Sequence, residues 1–471
     1  MNSQTLSRSR TGPDVGPLRS GFAGQVLTAE DGESYDVARM AFNAMFDRRP
    51  AVIARATCTA DVVLALGFAR ATGLPVAVRG GGHSVAGYST IDDGLLLDLG
   101  PMKAIDVDPE ARLVRVQPGV VWGELDRATQ EHGLATTGGR MTTTGVAGFT
   151  LGSGSGWLER LHGSACDNLL GAEVVTAAGA VVTASESENP DLLWGLRGGG
   201  GNFGIVTEFT LRLHPVGPEA YGGVLMYPRS QAPEVLRHAR DFLRSAPREV
   251  CGGMLCMVAP PAPFVPPELR GAPVVTVLAA HWGDVETGAA ALAPLRDLPP
   301  AVDLMGPTTY LDVQAITDPA NPPGRRNHWR SELLPDAPDE LLDAFVACAA
   351  EATSPASTLV LGRLGGAFGD VPEDATALGG RGAEWLFHCY AVWDEGDDDR
   401  HVSWARATAE ALRPWTMAGM ALNFMNDIDE TRVRTTFGPA KYQRLRELKR
   451  RWDPDNVFAM NQNIPPDGWP D

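Results

Sequence analysis

The chain has 471 residues, 44% hydrophobic and 21% charged, enough for two or more lobes around sizeable cores. Its formal net charge of −18 argues against nucleic acid or an anionic membrane as a partner. The six cysteines (Cys58, Cys166, Cys251, Cys256, Cys348, Cys389) have neither a disulfide-framework nor a zinc-ligand spacing, so no metal site is expected.

Residues 1–34 read as a polar N-terminal arm. The first twenty carry Arg8, Arg10 and Arg19 without an apolar core, which argues against a Sec signal peptide, and no apolar run is long enough to span a bilayer. The cytoplasm is the expected compartment. Val37, Met40, Ala41, Ala44 and Met45 recur at helical spacing and predict a helix over 35–46. Residues 51–54 predict a strand, 59–71 a helix closed by Gly73, and 76–78 a short buried strand. Strands at 95–99 and 113–116 and a helix at 121–132 follow, then a strand pair at 172–177 and 180–183. After Pro215, strands at 273–280, 359–364 and Trp385–Trp393 alternate with helices at 232–245, 339–350 and 401–411. Runs of this kind predict an antiparallel sheet backed by helices. A last helix is predicted over 439–452, with Tyr442, Leu445, Leu448 and Trp452 on one face.

Two glycine-rich stretches carry the chemistry. Strand 76–78 leads into Arg79-Gly80-Gly81-Gly82-His83-Ser84-Val85-Ala86-Gly87-Tyr88-Ser89, one imidazole in the middle of a glycine turn. Such a turn can bring backbone N–H groups close to a bound anion. The second stretch runs from Thr136 through Thr142-Thr143-Thr144-Gly145-Val146-Ala147-Gly148 to Leu151-Gly152-Ser153-Gly154-Ser155-Gly156-Trp157. Val146, Phe149, Leu151 and Trp157 are interleaved in it, which suits a buried cradle better than a polar linker. It lacks the Gly-Lys-Ser/Thr of a P-loop and the strand–turn–helix setting of a dinucleotide fingerprint.

Together with Asp167-Asn168-Leu169, Gly204-Ile205-Val206 and the terminal Asn461-Gln462-Asn463, these stretches resemble the covalent FAD-linked oxidases of the vanillyl-alcohol-oxidase superfamily, berberine-bridge-enzyme-like branch. The resemblance is carried by residues 35–215 and by the C-terminal segment. It implies an α+β fold: a PCMH-type FAD-binding domain of two α+β subdomains (35–215), a substrate domain (216–430), and a segment (431–471) that returns to the FAD domain. It implies FAD, bonded at its 8α carbon to His83. The other cofactor contacts it implies are Arg79, Gly80, Gly81, Gly82, Ser84, Gly87, Tyr88, Thr142, Thr143, Thr144, Gly145, Gly148, Leu151, Gly154, Asp167, Asn168, Leu169, Gly204, Ile205, Val206, Asn461 and Asn463. Many relatives add a 6-S-cysteinyl bond just before the Thr-Gly-Val-x-Gly segment. Here that position is Met141, so no second bond is expected, and Cys166 reads as a small buried residue.

The resemblance also places Thr144 near flavin N5, with a role in oxygen access. Many relatives carry a Tyr-x-Asn-Tyr/Phe motif whose tyrosine helps deprotonate the substrate. Here the segment is Ala421-Leu422-Asn423-Phe424, which leaves Asn423 but no tyrosine. Alternation along Trp385–Trp393 puts Leu386, His388, Tyr390 and Val392 on one face. His388 and Tyr390 are therefore candidate bases, and Tyr310, His388, Tyr390, Phe424 and Gln462 candidate substrate contacts. The implied reaction is hydride transfer from a secondary-metabolite alcohol, phenol or polyketide, a cyclic amine or a sugar hydroxyl, with O2 reduced to H2O2. Two alternatives stay open: a flavin-dependent oxygenase, and a flavin-holding binding protein without turnover. The expected partners are a small-molecule substrate and O2, and the expected state is a monomer or homodimer.

Overall fold

The structure is a computed structural model that describes residues 13–419, 422–427 and 429–468. Three sheets organise it. The first has four strands in the order Gln25–Leu27, Val52–Arg55, Leu95–Asp98, Val76–Arg79. Its last three strands run parallel, and the helix Thr59–Thr72 makes the crossover that a parallel pair needs. Val52 to Ala54 and Leu95 to Leu97 are fully buried, as strands covered on both faces must be.

The second sheet is antiparallel, in the order Ile105–Asp108, Leu113–Val116, Ile205–Arg212, Leu169–Val175, Val181–Ser185. The third has eight antiparallel strands between residues 219 and 393. The helices Ala232–Ser245, Asp339–Ala350 and Asp398–Leu412 cover one of its faces. Along Trp385–Trp393 the alternation divides the side chains cleanly. Trp385, Phe387, Cys389, Ala391 and Trp393 enter the helix-covered core, while Leu386 packs with Cys166 and Phe424, and Tyr390 with Trp329 and Met141. The period of two thus aims Tyr390 at the interface between the lobes.

The N-terminal arm is a correction. Residues 13–34 are built into the first lobe through the helix Gly16–Gly21 and the strand Gln25–Leu27, which pairs with Val52–Arg55. Leu18 and Phe22 are buried, and Asp61 accepts from the backbone N–H groups of Ala23 (2.7 Å) and Gly24 (3.1 Å). Elements this short carry no readable periodicity. The predicted helix over 35–46 is also shorter, Glu33–Arg39, and two of its supposed core residues, Val37 and Met40, are 58% and 64% exposed.

The final helix, Glu430–Trp452, has a non-helical Gly438 just before Pro439, so its second half matches the predicted segment. Tyr442, Leu445 and Leu448 pack with Trp194, Phe203 and Val206 of the first lobe. Lys449, fully buried, donates to the carbonyls of Asn202 (2.9 Å) and Phe458 (3.0 Å) and to the Asp453 carboxylate (2.7 Å). No helix among the described residues is long and apolar enough to cross a membrane.

Candidate active site

A cavity lies between the first two sheets and the exposed face of the third. The two glycine stretches meet along it. A Cβ on Gly81 would lie 2.4 Å from the Cα of Gly145, and one on Gly145 would lie 2.5 Å from the N of Gly81. Only glycine permits this backbone approach. Gly145→Ala is therefore expected to push the loops apart at a cost of about 1–3 kcal/mol and to lower the flavin-to-protein absorbance ratio of the purified protein severalfold.

His83 is held in the turn by its surroundings. Its ring stacks on Phe42 at 3.7 Å, and Trp329 lies 6.2 Å away. Asn43 and Asn426 both donate to the carbonyl of Val85 (2.8 and 2.5 Å) and to that of Asn327 (2.8 and 3.1 Å), so they tie the histidine loop to the third sheet. The His83 Nε2 is buried without a hydrogen-bond partner. Burial pushes the imidazole pKa down to about 4, so the ring is neutral near neutral pH. A buried, unpartnered, neutral imidazole lining a cavity has its lone pair available for a bond. That, with the glycine cradle, fits the residues to a flavin.

The cavity is lined by Gly80, Gly81, Gly82, Ser84 and Tyr88 from the first stretch and by Thr144, Gly145, Gly148 and Leu151 from the second. Gly204, Ile205, Val206, Asn461 and Gln462 close one end, and Tyr390, Asn423 and Phe424 form the wall toward the third sheet. Thr144 lines the cavity, its hydroxyl without a hydrogen bond among the described residues, whereas Asn423 donates to the carbonyl of Phe149 (2.9 Å). Met141, just before the Thr-Gly-Val-x-Gly segment, lines the cavity. Cys166 is fully buried away from it, and burial pushes its thiol well above the ordinary range. Ala421 lies outside the described residues.

Several predicted site residues do other work. Arg79 is buried, its guanidinium on Asp98 (3.0 Å) and on the carbonyls of Met40 (3.0 Å) and Ala38, so it braces the loop and is not free for a phosphate. Asp167 pairs with Arg381 (2.6 Å), and Asn168 bonds the carbonyls of His162 (2.9 Å) and Ser164 (3.0 Å) and the His214 ring (2.7 Å). Leu169 is core, Gly87 packs on the Phe46 ring, and Gly154 packs on Ala165. Thr142 bonds Asp318, Thr143 faces a separate groove, and Asn463 does not line the cavity. His388 is fully buried behind the wall, both ring nitrogens unpartnered, and burial pushes it down to about 3, too weak a base for work near neutrality.

Tyr310 is likewise a correction. It is fully buried, and its hydroxyl donates to Asp126 (3.2 Å), which also accepts from Gln314 (2.9 Å). Burial pushes the Asp126 carboxyl from 3.8 up to about 7, outweighing the opposing pull of Gln314, Tyr310 and the Arg127 charge. Between those values the folded state binds the proton that the unfolded state has lost, so this group's contribution to stability falls as pH rises through the window. Asp126→Asn is therefore expected to stabilise the protein by about 4 kcal/mol near pH 8, the rise from 3.8 to about 7 at about 1.4 kcal/mol per pH unit, and to match wild type below about pH 4, as read from denaturant midpoints.

Arg140 was not a sequence candidate, and it lines the cavity. Its signal would have been Glu159 downstream, whose carboxylate it meets at 2.7 Å.

Comparison with known proteins agrees with this geometry. The FAD binding domain family model matches residues 50–185, and the berberine and berberine-like model matches residues 422–465. (R)-6-hydroxynicotine oxidase of Paenarthrobacter nicotinovorans is 31% identical over 464 residues, covering 94% of this chain and 97% of that protein. The FAD-linked oxidoreductase pgmH of Aspergillus terreus is 30% identical over 489 residues, covering 96% and 95%. The crystal structure of 6-hydroxy-D-nicotine oxidase from Arthrobacter nicotinovorans superposes with a TM-score of 0.85 at 28% identity, covering 96% of this chain and 99% of that one.

Proposed function

Since the chain belongs to the berberine-bridge-like FAD-linked oxidoreductases, we propose that it is an oxidase with flavin bonded to His83 and with the Tyr390 hydroxyl positioning the substrate. The observation that carries this reading is that a buried, unpartnered His83 and a cavity-facing Tyr390 line one cavity. When bound, FAD supplies a two-electron acceptor that O2 reoxidises with release of hydrogen peroxide.

The protein's part is positioning and proton handling. Gly80 to Ser84 and Gly145 to Gly148 offer a backbone bed, and Trp329, Phe424 and Tyr390 give a largely apolar, aromatic wall for an organic substrate. Burial raises the Tyr390 pKa well above the ordinary phenol range, and the nearby Arg140 charge offsets only part of that rise, so the hydroxyl stays protonated near neutral pH. Tyr390 is thus a protonated hydroxyl on the wall, suited to hydrogen-bond a substrate hydroxyl or amine and hold it in place as its C–H bond breaks. The Thr144 hydroxyl, unspent on protein, is available to an acceptor in the cavity. The substrate is a small or medium molecule: a secondary-metabolite alcohol, phenol or polyketide, a sugar hydroxyl, or a cyclic amine such as the name of the hydroxynicotine-oxidising relative indicates.

The test is a substrate panel in air with O2 uptake and peroxide measured together. One peroxide per O2 supports the oxidase, whereas oxygen retained in the product identifies an oxygenase. With any substrate found, Tyr390→Phe is expected to lower kcat about a hundredfold at unchanged flavin content. An unchanged kcat would remove Tyr390 from the mechanism.

A further inference from the structure

Among the described residues lining the cavity, Arg140 is the only aspartate, glutamate, lysine or arginine. Its four Nη hydrogens are spoken for: on the carbonyl (3.4 Å) and hydroxyl (3.2 Å) of Ser155, the carbonyl of Gly156 (3.1 Å) and the Glu159 carboxylate (2.7 Å). The guanidinium also lies over the Trp157 ring at 5.3 Å. These contacts fix the group rigidly and leave its Nε–H without a protein acceptor. Glu159 is 2% exposed, one of its oxygens has no partner, and burial raises its pKa toward the neutral form. The Arg140 charge is therefore incompletely balanced. It is felt on the third-sheet wall, at Tyr390 and His388.

We propose that Arg140 makes this site selective for a substrate bearing an anionic oxygen, a carboxylate or an ionised phenol or enol, and that it rejects protonated amines. The proposal rests on the flavoenzyme reading above and narrows its substrate list. A held guanidinium forms a charge-assisted hydrogen bond with an oxyanion at little ordering cost, since its rotamer is already fixed. The same charge beside an apolar wall repels an ammonium, because a low-dielectric surround screens it weakly. By this argument an amine would be a poor substrate here, even though a relative is named for oxidising hydroxynicotine.

The experiment uses three probes of nearly one shape, benzoate, benzyl alcohol and benzylamine, titrated by calorimetry into the purified holoprotein at neutral pH. Benzoate is expected to bind about tenfold tighter than benzyl alcohol, and benzylamine weaker than both. Arg140→Gln is expected to erase the gap between benzoate and benzyl alcohol, and Arg140→Lys to keep part of it. Arg140→Gln/Glu159→Gln, which leaves no buried carboxylate unpaired, repeats the test should the single variant not fold. Equal affinities, or benzylamine ahead, in wild type would overturn the proposal without any variant. Flavin absorbance of the same sample is read separately. A sample without flavin overturns the parent reading, while the ranking of the three probes decides the role of Arg140.

Discussion

Replacing His83 by alanine is expected to leave an acid-precipitated pellet that is colourless, beside a wild-type pellet that stays yellow after washing. The physical case starts from desolvation. The imidazole is buried, its pKa is pushed down to about 4, and its Nε2 has no partner. A buried polar atom left unpaired costs about 1–3 kcal/mol, and a bond from a ring nitrogen to the flavin 8α carbon would offset that cost. The ring cannot swing away, because Phe42 stacks on it at 3.7 Å and the loop carbonyl of Val85 is held by both Asn43 and Asn426. A yellow mutant pellet would mean a second attachment. Met141 cannot supply one, and Cys166 is fully buried off the cavity with its thiol pushed well up. A colourless wild-type pellet would end the covalent proposal. The variant is expected to retain its fold, since alanine keeps the backbone of the turn and leaves the neighbouring strand pairing untouched.

Lys449→Met is expected to destabilise the protein by about 3–5 kcal/mol and to release flavin along with it. Lys449 and Asp453 are both fully buried, and every donor and acceptor in the pair is used. The ammonium takes Asn202, Asp453 and Phe458. The Asp453 carboxylate also accepts from the N–H groups of Val457 (2.8 Å) and Phe458 (2.9 Å). Removing the cation leaves Asp453 charged and uncompensated in the interior, the situation in which a buried pair is costly to break. Lys449→Met/Asp453→Asn is expected to recover part of the loss. Denaturant midpoints for the three proteins measure it, and equal midpoints for wild type and Lys449→Met would show that the pair carries no stability.

The histidine loop was legible because its chemistry is local: a strand, a run of glycines and one imidazole demand a turn wherever they occur. The alternation along Trp385–Trp393 was legible for a similar reason, since a period of two survives any packing. What could not be read was where polar side chains point. Asp167, Asn168 and Tyr310 stand in the expected segments, yet their partners, Arg381, His214 and Asp126, lie between 46 and 214 residues away. Arg79 looked like an anion ligand until Asp98 claimed it. Nothing local marks Arg140 as a site residue, and only the fold brings Glu159 and Trp157 against it. His388 was half legible: the alternation gave its face, but not the depth at which Tyr390 stands in front of it.

The tail's contacts bear on how the protein is made. Asn461 donates to the carbonyl of Gly201 (3.2 Å), Ile464 donates to Asn202 (3.0 Å), and Asn461 and Gln462 line the cavity. The bed for the cofactor is therefore unfinished until residues 461–464 have been made and docked on the first lobe. A product that stops short of Lys449 contains the histidine loop and both glycine stretches but lacks the clamp that closes over them. A chain truncated before Lys449 is therefore expected to hold flavin poorly even though every residue of the histidine loop is present.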